Sequence, residues 1–352
     1  MPEINPVEAT VNIPRQIHFI WVGGAIPGQG APHNYRQRIQ QIANTLAPQN
    51  VPVDQHHHVN VWLSQNLSHT QADYDENRAW AQNANNVTPR NLDLPEELQL
   101  TNIERGAIAL QWDTQPHNYG AISDIVRIAI LDQHGGIYMD TDCRIGQMFD
   151  PNPLHAPFGF LVTRRAWNSP NFLNSIMASI PGGHFIVALR NAVGIRYGQI
   201  SEMTEAEKYV ALRTNAEPPP DGSAQSLING YLNKLRSDIE AKTLLLAGPS
   251  RLDEVARNYT VNGAPLYSYT EGNVWDNDDV KSCIIPWLNM PGLPDQFNHA
   301  RFGQMELAFH NGWLQNIPAP PQGNQAAAPN QGGPYDAAIG AAVTPGGMNH
   351  AT

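Results

Sequence analysis

The chain is poor in cysteine, in positive charge and in long apolar runs, and each shortage excludes something. Cys143 and Cys283 are its only cysteines, too few and too far apart for a metal knuckle or a disulfide framework. They read as two free thiols in a reducing compartment. Lysine and arginine number 21 against 32 acidic residues, a formal net charge of −11. Non-specific binding to nucleic acid or to an anionic membrane needs a basic face, so neither is expected as a partner. No apolar run approaches the ~18 residues of a membrane span, so no stable membrane insertion is expected. The opening MPEINPVEATVN has neither the basic nor the apolar region of a signal peptide. A soluble protein follows, cytoplasmic in the producer or exported by a non-classical route.

What is present is an alternation of strand and helix signals. QIHFIWVGG predicts a buried strand over Ile17 to Val22, closed by Gly23 and Gly24. A helix is expected around Tyr35–Leu46 and a second strand at Val59–Leu63, the opening of an α/β sheet. Residues 64–118 read as an Asn- and Gln-rich excursion with one weak helix near Ile103–Leu110, and His56–His58 as surface. SDIVRIAILDQHGG predicts a helix capped by Ser123 and ended by Gly135. Further strands are expected at Phe158–Thr163, Thr243–Ala247 and Ser282–Ile285, with a helix over His184–Val193. After a Pro-Pro-Pro turn, Leu227, Ile228, Tyr231, Leu232, Leu235 and Ile239 recur at helical spacing inside a charged insertion, residues 201–240. From about Asn316 the composition turns to Pro, Gly, Ala and Gln, so 316–352 is expected to be a disordered tail.

Chemistry gathers at "GGIYMDTDCR", Gly135–Arg144. Asp-x-Asp occurs three times, at Asp73, Asp140 and Asp276, but only the second copy follows an apolar strand. Side chains at i and i+2 of an extended segment point the same way, so Asp140 and Asp142 can converge on one ligand. Carboxylates so placed repel unless a cation or proton lies between them. Their oxygens suit Mg2+ or Mn2+; a solvated turn at the strand end is the competing explanation. Asp124 and Arg127, at i and i+3, read either as a surface ion pair in the helix's first turn or as part of the same site. Trp21 is either a core aromatic or, at the carboxyl end of a strand, a surface for a base.

Taken together, these blocks resemble the D-x-D sugar-nucleotide glycosyltransferases, in particular the group joining clostridial-type glucosylating toxins to yeast-type initiating mannosyltransferases. The opening block is matched at Ile13, Pro14, Ile17, His18, Trp21 and Gly23. The central block is matched at Ser123, Asp124, Arg127, Gly135, Gly136, Tyr138, Asp140 and Asp142, with fainter echoes at Asn174 to Ser179, His184 and Gly248-Pro249.

The resemblance implies a GT-A type, Rossmann-like mixed sheet flanked by helices, one domain over 1–315 with insertions at about 64–118 and 201–240. It implies a retaining transfer of a hexose, of the glucose or N-acetylglucosamine type, from a UDP-sugar with Mn2+ or Mg2+. Ile20, Trp21, Ser123, Asp124, Arg127, Tyr138, Asp140 and Asn174 would then contact the donor, with Trp21 on the uracil. Asp140 and Asp142 would hold the metal, aided by His310 or Asn311, and Trp313 would close over the leaving group. Asp140, Asp142, Arg127 and Trp313 thus carry the catalytic expectation. The acceptor is expected to be a protein or a glycan, which fits a bacterial effector or toxin, and the 201–240 insertion is a candidate acceptor surface. An inactive nucleotide-sugar-binding scaffold is the alternative. A glycoside hydrolase fits less well, because its two carboxyls seldom come from neighbouring strand positions. A nucleotidyl or phosphoryl transferase would need a lysine-bearing glycine-rich loop, and none is visible.

Overall fold

Strand residues of alternating parity feed two apolar layers, and that alternation sets the architecture. The computed structural model describes residues 3–4, 12–31, 34–47, 52–113, 116–141, 143, 159–164, 172–258, 260–261 and 264–265. In chain order these form β1 (Glu3–Ile4), β2 (Gln16–Gly23), α1 (Tyr35–Thr45), β3 (His58–Ser68), α2 (Gln71–Asn83), β4 (Val87–Asn91), α3 (Asn102–Asp113), α4 (Tyr119–His134) and β5 (Gly136–Met139). β6 (Phe160–Arg164), β7 (Phe172–Ser179), α5 (His184–Ser201), α6 (Glu205–Leu212), α7 (Gln225–Leu246), α8 (Pro249–Asn258), β8 (Thr260–Val261) and β9 (Ala264–Pro265) follow.

The main sheet has the order β4-β3-β2-β5-β7-β6. It is parallel from β4 to β5 and antiparallel from β5 to β6. Phe19, Val59, Val61, Ile137 and Met139 pack on one face with α1 and α2, while Ile20, Trp62, Tyr138 and Met177 pack on the other with α3, α4 and α5. A small second sheet joins β1 to β8 and β9. The expected α/β class, a mixed sheet flanked by helices, is therefore present.

Several local expectations change. The region 64–118 is not one excursion: β3 runs on to Ser68, and α2, β4 and α3 follow. α2 buries little beyond Tyr74, Asn77 and Ala81, so its apolar stripe is thin. β4 carries Pro89, which an edge strand tolerates. Thr243–Ala247, expected as a strand, contains the last turn of α7; so short an apolar run has no period of its own. Gly248-Pro249 accordingly joins two helices. α4 starts four residues before Ser123 and is capped by Asn118, whose side chain accepts from Ala121 N at 3.0 Å. His57 is buried, unlike its neighbour His58. The 201–240 segment is helical as expected, and Arg213 within it is fully buried, donating to Gln111 Oε1 at 2.8 Å. Ser282–Ile285, Cys283 and the 316–352 tail lie outside the described residues. Cys143 is buried, its Sγ 3.8 Å from Ser175 O.

His18 locks β2 to its neighbours. Trp62 Nε1 donates to His18 Nδ1 at 3.0 Å, so Nε2 carries the proton and donates to Gly135 O at 3.0 Å. A second proton has no acceptor there, and burial, followed by the nearby His134, lowers the His18 pKa to about 3. Burial likewise lowers His57 to about 4. Both groups bind protons more readily unfolded, so their stabilisation is complete above pH 6.5 and falls as pH drops toward the folded values. Each removes about 2 kcal/mol by pH 5. The raised Asp124 carboxyl works in the opposite direction over this range, so the check is a comparison: in urea denaturation at pH 7.5 and pH 5.0, His18→Gln should lose about 2 kcal/mol less than wild type on acidification. An equal loss in the two proteins would contradict the assignment.

Candidate active site

The site is built on α4 and on the ends of β5 and β7. Tyr119, Ser123 and Arg127 follow one another at i, i+4 and i+8 along one side of α4, about 6 Å apart along the axis. Because the helix begins at Tyr119, Asp124 and Arg127 lie in its body rather than in its first turn. They form a buried pair, not the exposed one that local reading allowed, with Arg127 Nη2 2.8 Å from Asp124 Oδ1.

Arg127 is the hub. Its Nη1 donates to Asn174 O at 2.6 Å, its Nε to Ser123 O at 3.3 Å and its Nη2 to Ser123 Oγ at 3.2 Å. Nη2 also lies 3.3 Å from Asp140 Oδ1, and the guanidinium carbon sits 4.3 Å from the centre of the Tyr138 ring. The Tyr138 hydroxyl donates to Asp140 Oδ1 at 2.5 Å. Its only proton is thereby committed, so Ser123 Oγ, 3.0 Å away, is the donor in that contact.

β7 contributes through an irregularity. Val162 pairs with Met177 and Thr163 with Leu173, which leaves 174–176 without partners on β6. Such a break re-aims side chains beside functional sites. Here Asn174 Nδ2 donates to Asp124 Oδ1 at 2.8 Å, and Ser175 O accepts from Asp140 N at 2.8 Å.

One cation thus sits among two carboxylates. Burial raises Asp124 to about 6, opposed by Arg127 and reinforced by Asp140. Asp140 is raised by burial and drawn back by Arg127 and by the Tyr138 hydroxyl. The Tyr138 phenol is pushed far up, first by burial. Among the described residues, no partner reaches Asp140 Oδ2, and a third of that side chain is exposed. A hard acceptor oxygen is left facing outward beside a buried positive charge, an arrangement that can hold a cation and a phosphate together.

Ser123, Asp124, Arg127, Tyr138, Asp140 and Asn174 are therefore brought together. Ile20 is buried in the layer under α4. Trp21 lies with the opposite layer, 5.5 Å from the Tyr35 ring, and its Nε1 donates to Gly24 O at 2.8 Å. Asp142, His310, Asn311 and Trp313 lie outside the described residues. Among the described residues, no group of three or more His, Cys, Asp or Glu is poised to hold a metal.

Sequence reasoning overlooked three neighbours. Asn118 Nδ2 donates to Thr243 Oγ1 at 2.8 Å, which pins α7 to the start of α4. Gly248 lies directly against Asp124. A partly exposed aromatic group surrounds Gly23, with His69 Nε2 2.5 Å from the Tyr119 hydroxyl and His117 stacked on Trp112 at 4.4 Å. Asn118 carried a signal, as a helix-capping residue type just before an apolar run, and Gly248 carried one in the Gly248-Pro249 echo, though neither was read as a site residue.

With this geometry in place, comparison with known proteins is informative. Residues 52–158 match the family model of the glycosyltransferase sugar-binding region containing the DXD motif. The chain is 27% identical over 202 residues to Subversion of eukaryotic traffic protein A of Legionella pneumophila. That alignment takes in 57% of this chain and 28% of the relative, so the chain spans little more than a quarter of the curated protein it matches. Among solved structures, PaToxG glycosyltransferase superposes with a TM-score of 0.45 at 16% identity, over 71% of this chain and 70% of that one. The catalytic domain of alpha-toxin from Clostridium novyi superposes with a TM-score of 0.44 at 13% identity, over 77% and 76% of the two chains. Among the described residues, no helix is long and apolar enough to cross a membrane.

Proposed function

We propose that this chain is a retaining glycosyltransferase that moves a hexose, of the glucose or N-acetylglucosamine type, from a UDP-sugar to a protein or glycan acceptor. The observation that carries the reading is the Arg127 guanidinium held between Asp124 and Asp140 at the end of β5, inside the stretch that matches the sugar-binding family. Among the described residues nothing reaches Asp140 Oδ2, a hard oxygen donor that, with Asp142, would hold Mn2+ or Mg2+. When bound, such an ion stabilises a departing diphosphate as a Lewis acid.

The chain's own residues supply the rest. Breaking the bond from the anomeric carbon to phosphate builds positive charge on the sugar and negative charge on the diphosphate. Arg127 would supply a fixed positive charge near the sugar without reorganising, because its other bonds already hold it. Asp124 offers an acceptor for a sugar hydroxyl. Closure by Trp313, with His310 or Asn311 as a further metal ligand, would exclude water and limit hydrolysis. No second carboxylate is placed as a covalent nucleophile among the described site residues, so attack by the acceptor from the leaving-group face accounts for retention. The Legionella relative is named for subversion of eukaryotic traffic, which supports an effector acting in a eukaryotic host.

The test is donor hydrolysis across UDP- and GDP-sugars, with and without Mn2+, beside Asp140→Asn and Asp142→Ala. Metal-dependent release of one nucleotide, lost in both variants, is the expected result. No turnover, together with no thermal shift on adding nucleotide, would leave the inactive scaffold as the better reading.

A further inference from the structure

We infer that Gly248, at the junction of α7 and α8, is a positioning residue that sets the seat of the Asp124 carboxylate and keeps the space beside its Oδ2 open for a donor-sugar hydroxyl. This rests on the glycosyltransferase reading and adds a residue to it. Asp124 Oδ1 is already engaged by Asn174 Nδ2 and by Arg127 Nη2, each at 2.8 Å. Among the described residues, no hydrogen bond reaches Oδ2, so this is the oxygen left for a ligand.

Gly248 borders that oxygen. A Cβ built on it would lie 3.1 Å from Asp124 Oδ2, 2.9 Å from Leu244 Cα and 3.0 Å from Thr243 O. Two of these neighbours are backbone of the last turn of α7 and yield little; the carboxylate is the softer one. The junction itself cannot slide away. Gly248 N donates to Thr243 O at 3.1 Å, and Gly248 O accepts from Arg251 N at 3.1 Å and Leu252 N at 3.2 Å. The same turn of α7 is tied to the cap of α4 through Asn118 and Thr243. A methyl group here therefore acts through Asp124, rotating its carboxylate out of its bonds.

The experiment compares binding of UDP with binding of whichever of UDP-glucose and UDP-N-acetylglucosamine the wild type hydrolyses. Gly248→Ala should weaken the UDP-sugar by ~10-fold or more while changing UDP by less than about 2-fold. In an Asp124→Ala background the same substitution should change neither affinity, since the carboxylate it displaces is gone. Equal weakening of both ligands, or full additivity with Asp124→Ala, would overturn the inference. If Gly248→Ala does not fold, Thr243→Val takes its place: it should lower the same affinity ratio, and Thr243→Ser should restore it. An unchanged ratio in Thr243→Val would overturn the inference equally. A wild type that hydrolyses UDP-sugar beside an indistinguishable Gly248→Ala refutes this inference alone; a wild type that binds no nucleotide sugar refutes the function, and the inference falls with it.

Discussion

Arg127→Ala should remove donor-sugar turnover by ~1000-fold or more and lower folding stability by about 3–5 kcal/mol. The two losses share one cause. Without the guanidinium, the buried Asp124 and the one-third-exposed Asp140 each lose their main counter-charge. Asn174 O and Ser123 O lose their donors as well. Arg127→Lys should recover little, because a single ammonium cannot reach along both branches of the fork at once. Donor hydrolysis and urea denaturation of the three proteins check this. A variant within 1 kcal/mol of wild type would mean that the pair is solvated and that the hub does not exist.

This hub was partly legible in the sequence, and the reasons are specific. Asp124, Arg127, Tyr138 and Asp140 lie within 17 residues on one helix and the strand that follows it, so local periodicity was enough to put them in one region. β2 and β5 were legible because each is a short, mostly apolar run beside a glycine pair, Gly23-Gly24 after β2 and Gly135-Gly136 at the start of β5. α2 and β4 were not: one buries an asparagine in its short apolar face, and the other is a proline-bearing edge. The last turn of α7 reads T-L-L-L-A, and nothing local distinguishes strand from helix there until the 18 residues before it are taken into account. Gly248 and Thr243 were invisible as site residues because they meet α4 across more than a hundred residues of chain. Trp21 shows the opposite limit, since its position at the end of β2 was correct while the layer to which its ring belongs is fixed by Tyr35.

Gly136→Ala should cost about 4 kcal/mol, a large share of the ~5–15 kcal/mol that holds a typical domain folded. Gly136 has φ +84°, where an L side chain is strained. Its added Cβ would lie 2.6 Å from Gln16 O and 2.9 Å from His18 Nε2. Both neighbours belong to β2, whose Ile17 and His18 pair with Ile137 and Tyr138, so the methyl separates the two central strands and disturbs the imidazole that joins them. Gly182→Ala separates conformation from crowding. It has φ +64° but nothing within 4 Å of an added Cβ, so only the backbone term of about 1 kcal/mol applies. Denaturation midpoints of the two variants should differ accordingly; equal losses would show that crowding at Gly136 is relieved.

The order β4-β3-β2-β5-β7-β6 has a consequence for what counts as a unit of this protein. β5 lies inside the family-matching stretch 52–158, but its neighbours on both sides, β2 and β7, come from outside it. Cut out alone, that stretch would present β5 with two bare edges and β3 with one, and α4 would lose the α7 turn that holds its cap. The part of this chain that matches the family model is therefore smaller than the part that must fold together. The Asp140 carboxylate, although carried by the recognisable part, keeps its geometry only after residues 172–175 have been laid beside it.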